Sequence, residues 1–307
     1  MRGLVVKNTG SWYQVITDDN TLTECRIKGN LRLLEIRSTN PIAVGDYVMF
    51  EKSTDGTGVI SEICERKNYI VRKSSNLSKQ SHILAANLDL ALLVATINYP
   101  VTSIVFIDRF LASAEAYRVP AIIVINKYDL YSADELKYLE SLSYLYESLG
   151  YKVFTTSALN PQTTTMLTDF LKDKTTLISG NSGVGKSTLI NALAPESLAK
   201  TGKISHYHNK GMHTTTFSEM FSLADGGRII DTPGIKGFGT VDMEATEISH
   251  YFKEIFSESK NCRFSNCKHT NEPGCAVLSA VENKRISLSR YQSYQSMLND
   301  CSGGKYR

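Results

Sequence analysis

The residues Gly180-Asn181-Ser182-Gly183-Val184-Gly185-Lys186-Ser187-Thr188 have types and spacing suited to holding a nucleotide phosphate. They match GxxxxGK[ST], directly after the apolar run Thr175–Ser179 and directly before a helical pattern. Glycines let backbone N–H groups turn inward around phosphate oxygens, and the helix N-terminus adds its positive end. Lys186 is expected to reach the β- and γ-phosphates and to stabilise charge in the transition state. The Ser187 hydroxyl is expected to ligate Mg²⁺. An ordinary glycine-rich turn would not need that strand-loop-helix setting.

Asn126-Lys127-Tyr128-Asp129 follows the apolar strand Ala121–Ile125, where side chains are presented at the C-terminal edge of a sheet. Asp129 can accept from both N1–H and N2–H₂ of guanine, which adenine does not offer, so the pattern disfavours an ATPase. The competing reading is a helix-capping turn. Thr156-Ser157-Ala158 ends the next strand, where Ser157 and Ala158 can back a base with a small side chain and a backbone N–H. Asn126–Asp129 normally follows a phosphate loop, and here it precedes one. The motif order is rotated.

Asp231-Thr232-Pro233-Gly234 ends the strand Arg228–Ile230, so Asp231 is expected to hold Mg²⁺ through water and the Gly234 N–H to lie near the γ-phosphate. Of Thr214-Thr215-Thr216, Thr215 is the residue best placed to complete the Mg²⁺ shell and sense the γ-phosphate. Ile235 occupies the place where Ras-like GTPases carry a water-orienting glutamine, and isoleucine cannot do that work. His213 is the nearest polar group able to orient water or act as a base, against the reading of an exposed loop histidine.

A third chemistry lies near the C-terminus. Cys262, Cys267, His269 and Cys275 supply three thiolates and an imidazole within fourteen residues, a closed tetrahedral set suited to one structural zinc. Cys25, Cys64 and Cys301 read as plain thiols, and six cysteines in this length do not make a disulfide framework.

These groups need elements to position them. Residues 1 to about 70 alternate apolar and polar residues between turns, giving strands Leu4–Val6, Tyr13–Thr17, Thr21–Ile27, Tyr47–Glu51 and Gly58–Cys64. Five short strands fit a small oligonucleotide-binding (OB) type β-barrel. From Asn87, nearly continuous apolar strands alternate with amphipathic helices, predicting a doubly wound sheet covered on both faces. Its elements are Leu88–Thr96, a helix Ile104–Tyr117, Ala121–Ile125, a helix Ala133–Leu149, Lys152–Thr155, Thr175–Ser179, the helix opened by Lys186, Thr216–Leu223 and Arg228–Ile230. Helices are then expected over Met243–Phe256, Ala276–Asn283 and Arg285–Leu298, in a tail whose small core a metal would supplement. The expected fold class is multidomain α/β: an OB-type barrel over 1–72, a P-loop GTPase domain in circularly permuted order over 73–239, and a helical zinc-binding domain over 240–307. Because Asp231–Gly234 runs within ~30 residues into the cysteine segment, the rotation is expected to connect a γ-phosphate sensor to the C-terminal domain.

With 42% hydrophobic and 21% charged residues in 307, the composition is that of a globular chain, neither disordered nor fibrous. No run reaches the about eighteen apolar residues of a membrane span, and Met1–Lys7 lacks the apolar core of a cleavable signal, so a cytoplasmic location is expected. A net charge of +3 is too small to argue a nucleic-acid partner by itself, so the distribution must carry it. Arg26, Lys28, Arg32 and Arg37 lie in one stretch of the barrel with Glu35 as the only acid; this is an RNA-tracking face or a solvated one. Trp12 and Tyr13 can stack on bases or fill the barrel. Lys200, Lys203, His206, His208 and Lys210 lie between the phosphate loop and the threonines, and Lys253, Lys260, Arg263, Lys268, Lys284, Arg285 and Arg290 surround the cysteines.

Taken with Ile107-Asp108-Arg109-Phe110-Leu111 and Gly211–Thr216, these motifs in this order resemble the circularly permuted, ribosome-small-subunit-dependent GTPases of the RsgA family, across essentially the whole chain. The resemblance implies a GTPase that converts GTP to GDP and phosphate, slow alone and stimulated by the small (30S) ribosomal subunit, in late maturation of that particle. It implies Mg²⁺ with the nucleotide, one structural zinc, and 16S rRNA contacted through the barrel and zinc domain. A monomer with no DNA or membrane partner is expected. Met212 is the departure seen within the Gly-x-His-Thr-Thr-Thr stretch.

Overall fold

The computed structural model describes residues 1–28, 41–73, 81–195, 218–231 and 243–302. Strands β1 (Arg2–Asn8), β2 (Tyr13–Ile16), β3 (Leu22–Ile27), β4 (Tyr47–Lys52) and β5 (Gly58–Ile63) form the N-terminal region. β1 pairs with both β2 and β4, β3 with β2 and β5, and β4 with β5, which closes a five-stranded barrel. Alternation drives this closure: Tyr13 and Val15 of β2 and Thr23 and Cys25 of β3 are buried, while their neighbours face out. Val5, Tyr13, Val15, Cys25, Ile42, Val48, Phe50 and Ile60 fill the interior.

A hairpin of β6 (Tyr69–Lys73) and β7 (Ser81–Ala86) follows, in a stretch left unassigned by periodicity. Buried Asp46 receives Arg66 Nε at 2.7 Å and Arg66 Nη2 at 2.8 Å, tying the barrel to the start of this connection. Ala86 N donates to Val44 O and Asn87 Nδ2 to Gly45 O, so the chain leaves the barrel by a hydrogen-bonded route.

The central domain contains β8 (Leu90–Ala95), α1 (Ile104–Ala116), β9 (Ala121–Ile125), α2 (Ala133–Ser148), β10 (Lys152–Thr155), α3 (Pro161–Leu171), β11 (Thr175–Ser179), α4 (Lys186–Leu193), β12 (Glu219–Ser222) and β13 (Arg228–Asp231). Its strand order is β10-β9-β8-β11-β13-β12, parallel except for the β12–β13 hairpin. Leu93 of β8 and Ile123 of β9 pack with Phe110, Leu139 and Leu142 of α1 and α2, whereas Leu92, Val94, Ile122 and Val124 pack with Leu167, Leu189 and Ile190 of α3 and α4. Burial on both faces is why these strands read as unbroken apolar runs.

α3 is an element additional to those expected, and Asn160-Pro161 is its cap signature. The Asn160 side chain accepts from Gln162 N, and Pro161 sits where a missing N–H costs nothing. The sequence also gave no sign that the barrel and the central sheet are continuous. β1 pairs antiparallel with β12 at Lys7↔Glu219, reinforced by Lys7 Nζ to Glu219 Oε1 at 2.9 Å. The pairing covers an edge that would otherwise expose unpaired backbone groups, and it yields one eleven-stranded sheet.

The C-terminal domain departs from expectation in two places. Instead of one helix over Met243–Phe256, a 3₁₀ turn at Ile248–Tyr251 ends at Phe252, whose backbone is extended (φ −111°, ψ 101°), and α5 (Lys253–Ser259) starts after it. The break lets Phe252 bury fully against Tyr294. α6 (Ala276–Glu282) is close to expectation, but α7 (Leu288–Ser302) starts three residues later than Arg285. Met243, Ile248, Phe252, Ile255, Val277, Ala280, Ile286, Tyr294, Met297 and Leu298 form its core, which also takes in Ala112 of α1.

Candidate nucleotide site and metal centre

The strand order reverses at β8: β9 and β10 lie on one side of it, β11 and β13 on the other. The crevice beyond the C-terminal ends of β8 and β11 is where an open α/β sheet accepts a ligand. Residues 180–185 leave β11 there and enter α4, with Gly185 as the N-cap in left-handed geometry (φ 95°). A Cβ on Gly185 would lie 2.5 Å from Asn126 Nδ2. The loop and the Asn126–Asp129 segment therefore interlock at a place where only glycine fits.

Three side-chain hydrogen bonds centre on buried Asn126. Its Nδ2 donates to Val184 O at 3.0 Å, and its Oδ1 accepts from Ala158 N and Thr156 Oγ1, each at 3.2 Å. Asn126 thus binds the phosphate loop to Ser157-Ala158, and the Ala158 N–H is directed to Asn126. Lys127 adopts the left-handed region (φ 64°), which carries its side chain across the loop: Nζ donates to Gly183 O at 2.6 Å and to Tyr99 O at 2.7 Å. Asp129 stands exposed on the 3₁₀ turn Tyr128–Leu130, available to a base. Ser157 is buried, with its Oγ accepting from Leu159 N.

Lys186 Nζ donates to Gly180 O at 2.6 Å and Asn181 O at 2.8 Å, so the ammonium lies over the loop. Burial holds the Lys186 pKa below its ordinary value, partly opposed by the attraction of Asp231. Asn181, Ser182, Gly183, Ser187 and Thr188 are at least partly exposed around the same turn, while Gly180 and Val184 are buried. Asp231 ends β13 in register with Ile178 of β11, just beneath the loop. Gly234, His213 and Thr215 lie outside the described residues, as do Arg32, Arg37, Lys200, Lys203, His206, His208 and Lys210.

Ligand atoms of Cys262, Cys267, His269 and Cys275 all lie within 4.8 Å of one another. Cys275 Sγ is 3.4 Å from His269 Nδ1 and 3.9 Å from Cys262 Sγ, and Cys262 Sγ is 3.6 Å from His269 Nδ1. These spacings match donors converging on one tetrahedral ion. Burial, then the neighbouring thiols Cys275 and Cys262, push the Cys267 thiol up to about 12. Burial also lowers the pKa of His269, favouring the neutral, ligating imidazole. The ligand loop is fastened by Tyr291 and Tyr294, whose hydroxyls donate to His269 O and Lys268 O, each at 2.7 Å. Three of its backbone N–H groups, those of Lys268, Thr270 and Asn271, donate to the Glu272 carboxylate. The cluster can hold a metal ion.

Two readings of surface chemistry change. Arg290, counted among the cations around the cysteines, is fully buried in contact with Asp108 and Glu254. Lys253 pairs with Glu115 and Arg285 with Glu258, which leaves Lys260, Arg263, Lys268 and Lys284 outside every ion pair among the described residues. Tyr13 fills the barrel, whereas Trp12 is half-buried beneath the exposed Arg26 guanidinium, 3.8 Å from the ring centre.

The model of the RsgA GTPase family matches residues 63–241, and that of the RsgA N-terminal domain matches residues 2–60. The chain belongs to the RsgA GTPase family. It is 63% identical to the small ribosomal subunit biogenesis GTPase RsgA of Phocaeicola vulgatus and 65% identical to that of Bacteroides fragilis, over all of this chain and 99% of each relative. Among solved structures it is similar to YjeQ from Thermotoga maritima (TM-score 0.78, 34% identity, 98% of both chains covered). It is also similar to YloQ, a circularly permuted GTPase (TM-score 0.75, 30% identity, all of this chain and 96% of that one).

Within this RsgA fold, Asp108 and Arg109 acquire a role that sequence reading had not given them. Both reach from α1 to α7: Asp108 Oδ1 to Arg290 Nη1 at 2.7 Å, and Arg109 Nη2 to Ser296 Oγ at 2.9 Å and Asp300 Oδ2 at 2.5 Å. They dock the metal-cluster domain on the nucleotide domain. Their adjacency in a helix was the available signal, but the partners are more than 180 residues away.

Proposed function

We propose that the protein hydrolyses GTP to GDP and phosphate, stimulated by the small (30S) ribosomal subunit, during late maturation of that particle. The observation carrying this reading is the Asn126 bridge, because it joins a guanine-reading segment and a phosphate loop into one site despite their reversed order. Asp129 selects guanine, and Gly180–Thr188 with Lys186 holds the phosphates. Ser187, Thr215 and Asp231 hold Mg²⁺, which neutralises developing phosphate charge when bound. Gly234 and Thr215 sense the γ-phosphate, and His213 orients the attacking water when the protein is bound to the particle. Catalysis is then positioning and charge stabilisation, and hydrolysis favours release of the protein.

Residues 1–72, 73–239 and 240–307 form the three domains in this reading. The metal of the cysteine cluster is zinc: three thiolates and a neutral imidazole leave no open position, which suits a structural ion. Exposed Arg26 over Trp12, and Lys260, Arg263 and Lys268 near the cluster, support contact with 16S rRNA. In this reading the protein acts on the 30S subunit as a cytoplasmic monomer.

Phosphate release measured at saturating GTP, with and without purified 30S subunits, tests this reading. Stimulation in the wild type, lost in Lys186→Ala, is expected. Particle binding without any stimulated turnover would instead make the protein an adaptor that uses nucleotide only as a conformational ligand.

A further inference from the structure

The parallel ladder between β8 and β9 runs out at the mouth of the nucleotide crevice. Ala91 N donates to Pro120 O at its start, and Asn126 N donates to Ala95 O at its end. By the alternation of a parallel ladder, the next rung would be Ile97 N to Asn126 O. A phenol occupies that place. Tyr131 Oη accepts from Ile97 N at 2.9 Å and donates to Asn126 O at 2.6 Å. The hydroxyl makes one bond in each direction, and the ring is buried, with 8% exposure.

The inserted rung belongs to a wider pattern. Lys127, Tyr131 and Glu135, each four residues apart, hold three consecutive residues of the loop after β8. Lys127 Nζ donates to Tyr99 O, Tyr131 accepts from Ile97 N, and Glu135 Oε1 accepts from Asn98 Nδ2 at 2.7 Å. Glu135 is itself fixed as the N3 residue of the capping box that starts α2. The segment carrying Asn126 and Asp129 is therefore fastened to the loop after β8, whose Tyr99 O shares Lys127 Nζ with Gly183 O of the phosphate loop.

We propose that Tyr131 is a positioning residue for guanine selection: its hydroxyl spaces the ends of β8 and β9 and fixes the backbone from which Asn126 and Asp129 project. Direct pairing would draw Ile97 against Asn126 and turn the segment before Asp129. The phenol holds the two chains apart by the width of one hydroxyl, with both backbone groups satisfied. The inference rests on the reading of Asp129 as the guanine acceptor.

The test compares GDP and inosine diphosphate (IDP) binding to the full-length wild type and to Tyr131→Phe. IDP lacks the N2 amino group, so the ratio of the two affinities reports Asp129 placement rather than general stability. Loss of both hydroxyl bonds should weaken GDP about tenfold and lower the GDP:IDP ratio at least about threefold. Turnover at saturating GTP should stay within about twofold, because base contacts are alike in ground and transition states. An unchanged ratio in Tyr131→Phe would overturn the proposal. Failure of the guanine reading itself would show differently, as a wild type that does not prefer GDP to ADP or IDP. If the variant does not fold, hydrogen exchange of the wild-type Ile97 amide decides: GDP should slow it, and indifference to GDP counts against the role.

Discussion

Asp108 on α1 and Arg290 on α7 form an ion pair at 2.7 Å whose side chains are 0% and 1% exposed. The same Asp108 oxygen accepts from the Tyr146 hydroxyl of α2 at 2.8 Å, and Arg290 Nε also reaches Glu254 of α5 at 2.7 Å. Two charges taken out of water are tolerable only because each finds several partners. The cluster therefore fixes the C-terminal domain against the two helices that flank β9.

Removing one partner should cost more than removing an ordinary surface pair. Asp108→Asn is expected to destabilise the protein by about 3–5 kcal/mol. Arg290→Met should cost more, because it leaves two carboxylates, Asp108 and Glu254, without their cation. Urea unfolding checks the order, and limited proteolysis should show earlier release of residues 243–302. Equal stability of both variants and the wild type would remove the docking role.

Gly185 offers a test of the interlock. Gly185→Ala places a methyl group 2.5 Å from Asn126 Nδ2 on a backbone of φ 95°, so the loop must shift. GDP affinity should fall by more than about tenfold, the cost of a lost buried hydrogen bond together with strain. Gly150→Ala is the control, since it shares a positive φ (81°) but has nothing within 4 Å. It should affect stability alone. Calorimetric titration separates the two.

Metal removal should act on the C-terminal domain. Elemental analysis is expected to find one metal equivalent in the wild type and none in Cys275→Ser. That loss should increase protease cutting between 243 and 302, because the C-terminal core packs around Cys275, Cys262 and Cys267. Tyr291→Phe and Tyr294→Phe free the carbonyls of His269 and Lys268 and should each speed metal release to a chelator, by about threefold to tenfold.

Asp89 predicts an acid limb of stability. Burial raises its pKa, but the hydrogen bonds from Lys67 and Thr175 N and the Lys67 charge outweigh burial and leave it below the ordinary 3.8. A carboxylate depressed in the folded state contributes stability that is present above the unfolded pKa and lost as pH falls through the folded one. Melting temperatures of the wild type should therefore fall more steeply below pH 4 than those of Asp89→Asn, with the two converging at the acid end. Parallel curves would show that Asp89 does not couple β8 to β11 electrostatically.

Much of this molecule is legible locally. The loop Gly180–Lys186, the turn after Ile125, and strands such as Lys152–Thr155 follow from glycine spacing, caps and apolar runs, signals that span fewer than about ten residues. α3 carried comparable signals in the cap Asn160-Pro161 and in Thr164, Leu167 and Leu171, which share one buried helix face. The break at Phe252 had no local marker, because it follows from where a buried aromatic ring must go.

The sequence determined the chemistry available, the order of the elements and the set of metal donors, because residue type and short spacing set backbone geometry and ligand identity. Tertiary structure decided which of those groups meet. Arg290 reads as a surface cation until α1 brings Asp108 to it, and no local motif singles out Tyr131, whose hydroxyl enters the ladder between β8 and β9. The joining of β1 to β12 likewise depends on an edge strand meeting a partner over two hundred residues away. Such contacts reflect packing and desolvation across the whole chain, which no local window of sequence contains.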